Sequence, residues 1–276
     1  MSNLVTIALK EIQEGLRNRW VTATTLLLAA LALSLTFLGN APTGSGIGSG
    51  RLDVVIVSLS SLTIFLIPLI ALLISHDAIV GEMERGTMLL LLSYPVGRNQ
   101  VILGKFCGHV VILAFATLIG YGAAAVALAA TGSGIDAASW LAFLSLIGSS
   151  VLLGAVFIAI GFLASTLVRE RSTAAGVAIG VWLLFVLIYD MALLGLLVAD
   201  QGRTIGAGAL NALLIANPTD AYRLLNFGSG SAGALTGMSG VAGNATLSPL
   251  SLSLALALWT LLPLTASMLV FSRKEL

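Results

Sequence analysis

The residues able to hold a soft metal ion are few: two histidines, His76 and His109, one cysteine, Cys107, and six methionines in a chain of 276 residues. Cys107 and His109 open one long apolar run, and His76 closes another. Where those ends meet, thiolate and imidazole, with the thioether of Met83, make a donor set that suits copper(I). Two neighbouring helix ends joined by a short connection account for the same proximity without any metal. The single cysteine excludes a disulfide framework and every multi-cysteine zinc pattern. His76, Asp77 and Glu82 are the residues an intramembrane metal enzyme would use, but no nucleophile–base pair or established ligand spacing accompanies them.

Two glycine patterns resemble phosphate-binding loops and fail on inspection. Gly97…Gly104-Lys105 has six residues between its glycines where a P-loop has four, and Phe106 stands where Ser or Thr must bind magnesium. Gly228-Ser-Gly230-Ser-Ala-Gly233 has dinucleotide spacing, but no strand precedes it. Asp190 is the acid placed well inside an apolar run. A central Asp costs about 2.5–3.5 kcal/mol on insertion scales, so it should face protein or a wet cavity. It is read as a proton or cation site or a gate, or else as a carboxyl hydrogen-bonded to a neighbouring helix. The absence of a second charge within a span favours the latter. A proton-coupled secondary transporter working through Asp190 is the alternative function, weakened by that isolation and by the lack of inverted repeats.

The elements that must place these residues are membrane helices. Hydrophobic residues make up 58% of the chain and charged ones 9%, far below the quarter or so of a soluble domain. Mean hydropathy is +1.06. Thirteen Lys+Arg against twelve Asp+Glu leave +1, which removes a broad nucleic-acid-binding face. Apolar stretches of the length that crosses a bilayer predict six spans, near 20–39, 54–75, 106–130, 140–166, 174–199 and 250–271. The continuous runs exclude the alternating ten-residue segments of a β-barrel. With the N-terminus inside, Lys10, Arg17, Arg19, Arg85, Arg98, Lys105, Arg169, Arg171, Arg273 and Lys274 are cytoplasmic, against Arg51, Arg203 and Arg223 outside. Both termini are therefore expected in the cytoplasm.

Residues 3–18 gather Leu4, Ile7, Ala8, Ile12 and Leu16 on one face, with Lys10, Glu14 and Arg17 elsewhere. This predicts an interfacial helix over 1–19 leading into the first span. The connection 76–100 breaks the lipid-like composition at Gly81–Thr87, and its apolar Met88–Leu92 run is too short to cross a bilayer. The spacing predicts a short helix at the membrane surface; a solvated turn joining two helices is the other reading. In the outer segment 200–249, Ile205–Ala216 is apolar but short, hence re-entrant or interfacial. Asn217-Pro218-Thr219-Asp220 reads as a helix start that runs towards Asn226, and Gly228–Asn244 reads as a flexible loop. Gly120/Ala124 and Gly176/Gly180 have the spacing for close helix approach.

Six spans, the leading interfacial helix and Gly81-Glu82-x-Glu84-x-Gly86-Thr87, followed by paired leucines and Pro95, resemble ABC-2-type permeases. Four segments carry a more specific resemblance: LKEIQEGLRNRW (9–20), FLIPLIALLISHDAIVGE (65–82), LLSYPVGRNQVILGKFCGH (91–109) and NPTDAYRLLN (217–226). Within the family they are similar to the permease subunit of transporters that mature nitrous oxide reductase. The resemblance implies an all-α integral membrane protein of the bacterial inner membrane, with 20–276 as a six-span transmembrane domain. It also implies a homodimer of non-catalytic subunits bound to two cytoplasmic ATPase subunits that carry ATP and magnesium. Glu82, Glu84, Arg85, Gly86 and Thr87 in the 76–100 coupling loop, and Arg169, Glu170 and Arg171 in the second loop, are then the expected ATPase contacts. A periplasmic copper-binding β-helical protein is the implied outer partner. It is expected to dock on 200–249 through Asn217, Asp220, Tyr222 and Arg223, and on 40–53 and 131–139. Switching a two-state assembly from 1:99 to 99:1 takes roughly 5.5 kcal/mol of differential interaction. Nothing in this chain supplies that by chemistry, so the energy must arrive from a partner. It then either opens a path for a copper or sulfur species or moves the outer partner mechanically, and the scarcity of mid-membrane soft ligands favours the mechanical route.

Overall fold

The computed structural model describes residues 3–38, 51–130, 137–200, 206–227 and 247–274, and among these every regular element is helical. The flexible loop and glycine pattern expected at 228–244, and most of the outer connections 40–53 and 131–139, lie outside the described residues. In chain order the helices are α1 (Asn3–Leu16), α2 (Arg19–Leu38), α3 (Arg51–Ser75), α4 (Val80–Glu84), α5 (Thr87–Leu92), α6 (Arg98–Ala130) and α7 (Ala137–Leu167). There follow α8 (Arg171–Leu183), a π-helical turn (Leu184–Ile188), α9 (Tyr189–Asp200), α10 (Ala207–Ile215), α11 (Pro218–Phe227) and α12 (Pro249–Arg273).

Five stretches are long and apolar enough to cross a membrane: Val55–Glu84, Arg98–Ala130, Trp140–Leu167, Arg171–Asp200 and Pro249–Arg273. Asn3–Leu16 and Val21–Phe37, bent by 66° where they meet, make a sixth candidate when taken together. The chain is therefore a multi-pass helical membrane protein with five or six spans. The sequence predicts a third span from residue 106, yet α6 begins at Arg98 and runs for 33 residues. At 1.5 Å per residue that is roughly 50 Å, against a hydrocarbon core of about 30 Å. A rule that starts a span after the last charge cannot see the turns that project beyond the lipid, where Arg98 and Lys105 sit.

The centre of the bundle is α7, which packs mainly against α3, α12 and α6 and buries Phe157, Phe162 and Val156 completely. Two-thirds of its apolar window (67%) is inside the protein, compared with 6% for Arg171–Asp200. The fifth span is thus peripheral. Apolar association in lipid has no hydrophobic driving force, so close packing and hydrogen bonds must hold helices together. Two buried hydroxyl pairs serve here: Thr63 with Tyr121 at 2.6 Å, and Ser150 with Tyr222 at 3.1 Å.

Close packing is most demanding where α1 lies across the projecting turns of α6. A Cβ at Gly104 would stand 2.8 Å from Ile7 Cβ, and one at Gly108 would stand 2.6 Å from Glu11 Cβ. The two glycines, one helical turn apart, form the groove that receives α1. Gly120 does the same for α2, its Cβ falling 2.9 Å from Leu28 Cβ. At Gly176 and Gly180 nothing lies within 4 Å, so that small-residue face meets no helix among the described residues.

Gly108→Leu should therefore lift α1 from α6. Overpacking of this kind costs roughly 1–3 kcal/mol. Faster proteolysis within residues 3–16 of the membrane-embedded variant, with little change in the span helices' thermal unfolding, is the expected signature. Unchanged cleavage would remove the groove from the account.

Candidate functional site

Lys105 is the most consequential charge in the structure. It sits two turns into α6, 3% exposed, and its Nζ donates to Glu11 Oε1 of α1 and to Glu82 Oε1 of α4, both at 2.7 Å. Burying an ion costs several kcal/mol even after relaxation, and two carboxylates offset that cost at this distance. Lys10 approaches Glu14 at 3.4 Å and Glu82 at 3.9 Å from the wetter side. His109 Nδ1 donates to the Lys105 carbonyl at 2.8 Å and lies 4.0 Å from Glu11 Oε2. Glu11 is thus turned inward with Ile7, on the face the apolar pattern of α1 assigned to hydrophobes, while Leu16 is exposed. Burial pushes the Glu11 carboxyl up, but Lys105, His109 and Lys10 outweigh it and hold it below its ordinary value of 4.5.

Glu82 is consequently mostly withdrawn from the surface of this protomer, unlike Glu84 and Arg85. Its side chain is 12% exposed and locks α4 to α6 and α1. Glu84 is exposed but engaged: its Oε1 accepts from the Arg171 backbone N–H at 2.7 Å, supplying the negative group that the α8 N-terminus favours. Arg171 pairs with Asp77 at 2.7 Å. A side chain at Gly81 would crowd that pair, since its Cβ would fall 3.3 Å from Arg171 Nε. Gly86, at φ +70°, makes the left-handed turn between α4 and α5, a conformation other residues adopt only with strain. Thr87 donates to the Glu82 carbonyl at 3.2 Å. Arg85, Arg169 and Glu170 are exposed.

The helix ends around this cluster are capped by other helices. Ser165 of α7 accepts from the Ile79 and Val80 amides at the start of α4. Lys274 donates to the Thr166 and Val168 carbonyls at the end of α7, at 2.7 and 3.0 Å. Arg98 donates to the Phe271, Ser272 and Lys274 carbonyls at the end of α12. Cations at C-termini and a carboxylate at an N-terminus follow the helix dipole. On this framework α5 buries Met88 and presents Leu89, Leu90 and, just beyond it, Tyr94, which are 58%, 68% and 69% exposed.

The second polar cluster lies deep between the outer ends of the spans. α10 and α11 form a hairpin whose second arm packs against α3, α7 and α12. Its apex meets Phe185, fifteen residues from the end of α9 and so roughly 22 Å along the span. Irregular backbone at that depth must have every polar group satisfied. The π-helical turn provides for this: the Phe185 carbonyl accepts from Asn217 Nδ2 and Thr219 Oγ1, both at 3.0 Å. Asn217 Oδ1 accepts from the Thr219 amide at 3.1 Å, the helix cap expected from the sequence. The last carbonyls of α10 are taken by Tyr189 OH at Leu213 and Trp259 Nε1 at Ile215. One turn up, Arg223 donates to Asp190 Oδ2 at 2.5 Å and to Asp220 Oδ1 at 2.6 Å.

This hairpin corrects one expectation. Asp190 does not lack a charged companion, because Arg223 reaches it from a segment that residue counting places outside the membrane. Within this protomer Asn217, Asp220 and Tyr222 are buried and the Arg223 side chain is 19% exposed. Their polar groups point into the bundle because the hairpin apex needs them there. The candidate copper(I) donors each make separate contacts. His76 is turned onto the Leu72 and Leu73 carbonyls, His109 onto Lys105, and Cys107 is exposed. Among the described residues no three His, Cys, Asp or Glu side chains converge to hold a metal ion. Met83 packs against the hydrophobic core.

Lys105→Met leaves Glu11 and Glu82 facing each other in a dry site, which should destabilise by about 3–5 kcal/mol. Adding Glu11→Gln and Glu82→Gln should recover most of that loss; thermal unfolding in detergent compares the three chains. Because the Glu11 pKa is lowered on folding, its contribution is complete above 4.5 and is lost as pH falls through the lower folded value. Protease release of α1 should rise over that acid window, and should be flat there in Glu11→Gln.

Comparison with known proteins places this architecture. Residues 5–276 match the family described as ABC-2 family transporter protein. The chain is 47% identical over 272 residues to a Pseudomonas aeruginosa protein named probable ABC transporter permease protein NosY, covering 98% of each. It is 50% identical over 237 residues to the protein of the same name from Stutzerimonas stutzeri, covering 84% of this chain and 85% of that one. The chain belongs to the ABC-2 transporter family, as a membrane permease subunit.

Proposed function

We propose that this permease, as a homodimer in the bacterial inner membrane with both termini in the cytoplasm, couples ATP hydrolysis in two separate cytoplasmic subunits to copper-site maturation of periplasmic nitrous oxide reductase. The observation that carries the coupling is the exposure of Leu89 and Leu90 on α5 and of Tyr94 just beyond it, the helix being anchored by Met88 and following the α4 held by the Lys105–Glu82–Glu11 cluster. Three exposed large side chains within six residues, preceded in the chain by exposed Glu84 and Arg85, have the makings of a protein contact: an apolar centre with a polar edge. An ATPase moving against α5 acts on α4, and α4 is fixed to α1 and α6 by buried charge and to α7 by Ser165.

The segments 9–20, 65–82, 91–109 and 217–226 support the copper-site assignment through their resemblance to permeases of that system, and the relatives named NosY support it by whole-chain identity. Asp190 neutralised by Arg223, and a bundle without converging soft ligands among the described residues, favour mechanical transmission to an outer copper-binding partner over conduction of the metal.

Leu89→Asp/Leu90→Asp should reduce co-purification of the ATPase from native membranes at least tenfold, while the variant inserts and unfolds like the wild type. Undiminished recovery of the ATPase would move the docking site elsewhere. The reconstituted complex should hydrolyse ATP without moving copper across the bilayer; ATP-dependent copper flux would replace mechanical transmission with transport.

A further inference from the structure

The fifth span is attached to the rest of the chain in an unusual way. Only 6% of its apolar window is buried, yet it makes polar ties along most of its length. At one end Arg171 holds Asp77 through its side chain and Glu84 through its amide. In the middle Trp182 Nε1 donates to the Phe65 carbonyl of α3 at 3.0 Å. Deeper still, Phe185, Tyr189 and Asp190 engage Asn217, Thr219, Leu213 and Arg223 of the hairpin. Non-directional apolar packing permits a helix to slide. Discrete hydrogen bonds and ion pairs do not stretch; they hold or break, and so define distinct positions.

We infer that the fifth span is the element through which movement of the 76–100 segment reaches the hairpin, with Arg171–Asp77 and Asp190–Arg223 as the positioning pairs at its two ends. This rests on the permease reading above. The ties stand at both ends of one continuous helical span: Glu84 and Asp77 belong to the segment proposed to meet the ATPase, Arg171 begins α8, and the π-helical turn and Asp190 engage the hairpin. Arg223 transmits through two carboxylates at once, because Asp190 belongs to the fifth span and Asp220 to the hairpin. The hairpin in turn leads directly into residues 228–246, the chain segment before α12.

The test uses the whole complex purified with its ATPase into lipid nanodiscs, in a Cys107→Ser background, with labelled chain diluted by unlabelled chain. Nitroxide pairs are placed at exposed positions: Val198 of α9 with Leu254 of α12, and Ala212 of α10 with Leu254. Electron–electron distances are compared without nucleotide and with ATP plus vanadate. In the wild type both pairs should shift together. In Asp190→Asn the Val198–Leu254 distance should still shift while Ala212–Leu254 stays put, and Asp190→Glu should restore both. A purely structural role for the ion pair would not separate the two responses. A wild-type hairpin that stays still while the fifth span moves, or a fifth span that stays still, overturns the inference, and this holds even if Asp190→Asn fails to fold. If no ATPase is recovered with the chain, the permease reading falls and the inference with it; if it is recovered and the hairpin stays still, only the inference falls.

Discussion

A backbone amide or carbonyl left without a partner in lipid costs several kcal/mol, and every helix end creates a set of them. In this chain five of the described ends are satisfied by side chains from other helices or their flanks. Lys274 finishes α7, Arg98 finishes α12, Ser165 starts α4, Glu84 starts α8, and Tyr189 with Trp259 finishes α10. Satisfying the backbone therefore also fastens the helices to one another at their tips. The capping end is stiff for this reason, and stiffness is what a part pushed by an outside motor must have.

The same demand explains the split between α7 and the fifth span. The former is held by close packing on several sides, with Gly154 and Gly161 admitting Leu113 and Ser75 where a side chain would collide. The latter buries little of its surface, packs mainly through Phe185 against Phe157 and Trp259, and leans on named polar pairs. Buried pairs of this kind are weak evidence of extra stability, since matched apolar groups often do as well. Their contribution here is geometric: they allow few positions.

Much of this was legible in the residues. Apolar run length found the long apolar helices though not all their bounds, the charge break at Gly81–Thr87 marked where the long helices give way to short ones, and Asn217-Pro218 marked the start of α11. Three things were not legible, each for a physical reason. Glu82 looked like a surface acid because the partner that withdraws it, Lys105, is 23 residues away on another helix. Gly104 was weighed as part of a phosphate loop and Gly108 drew no notice, and their use as a groove depends on a crossing angle that no local pattern encodes. Asp190 looked alone because hydropathy assigned Arg223 to the outside; only the folding back of α10 and α11 brings it to depth. Local composition reports an element's solvent, and it says little about long-range partners.

The Asp190–Arg223 pair spans 33 residues of sequence. At about 5–20 residues per second, synthesis separates the appearance of the two by roughly 2 to 7 seconds. Throughout that interval the fifth span has been made and its acid has no counter-charge. The span cannot settle into its final place on completion; it must wait, beside the insertion machinery or at the edge of the growing bundle, until the hairpin arrives. Assembly order is thereby written into the ion pair: the fifth helix to cross is among the last to dock.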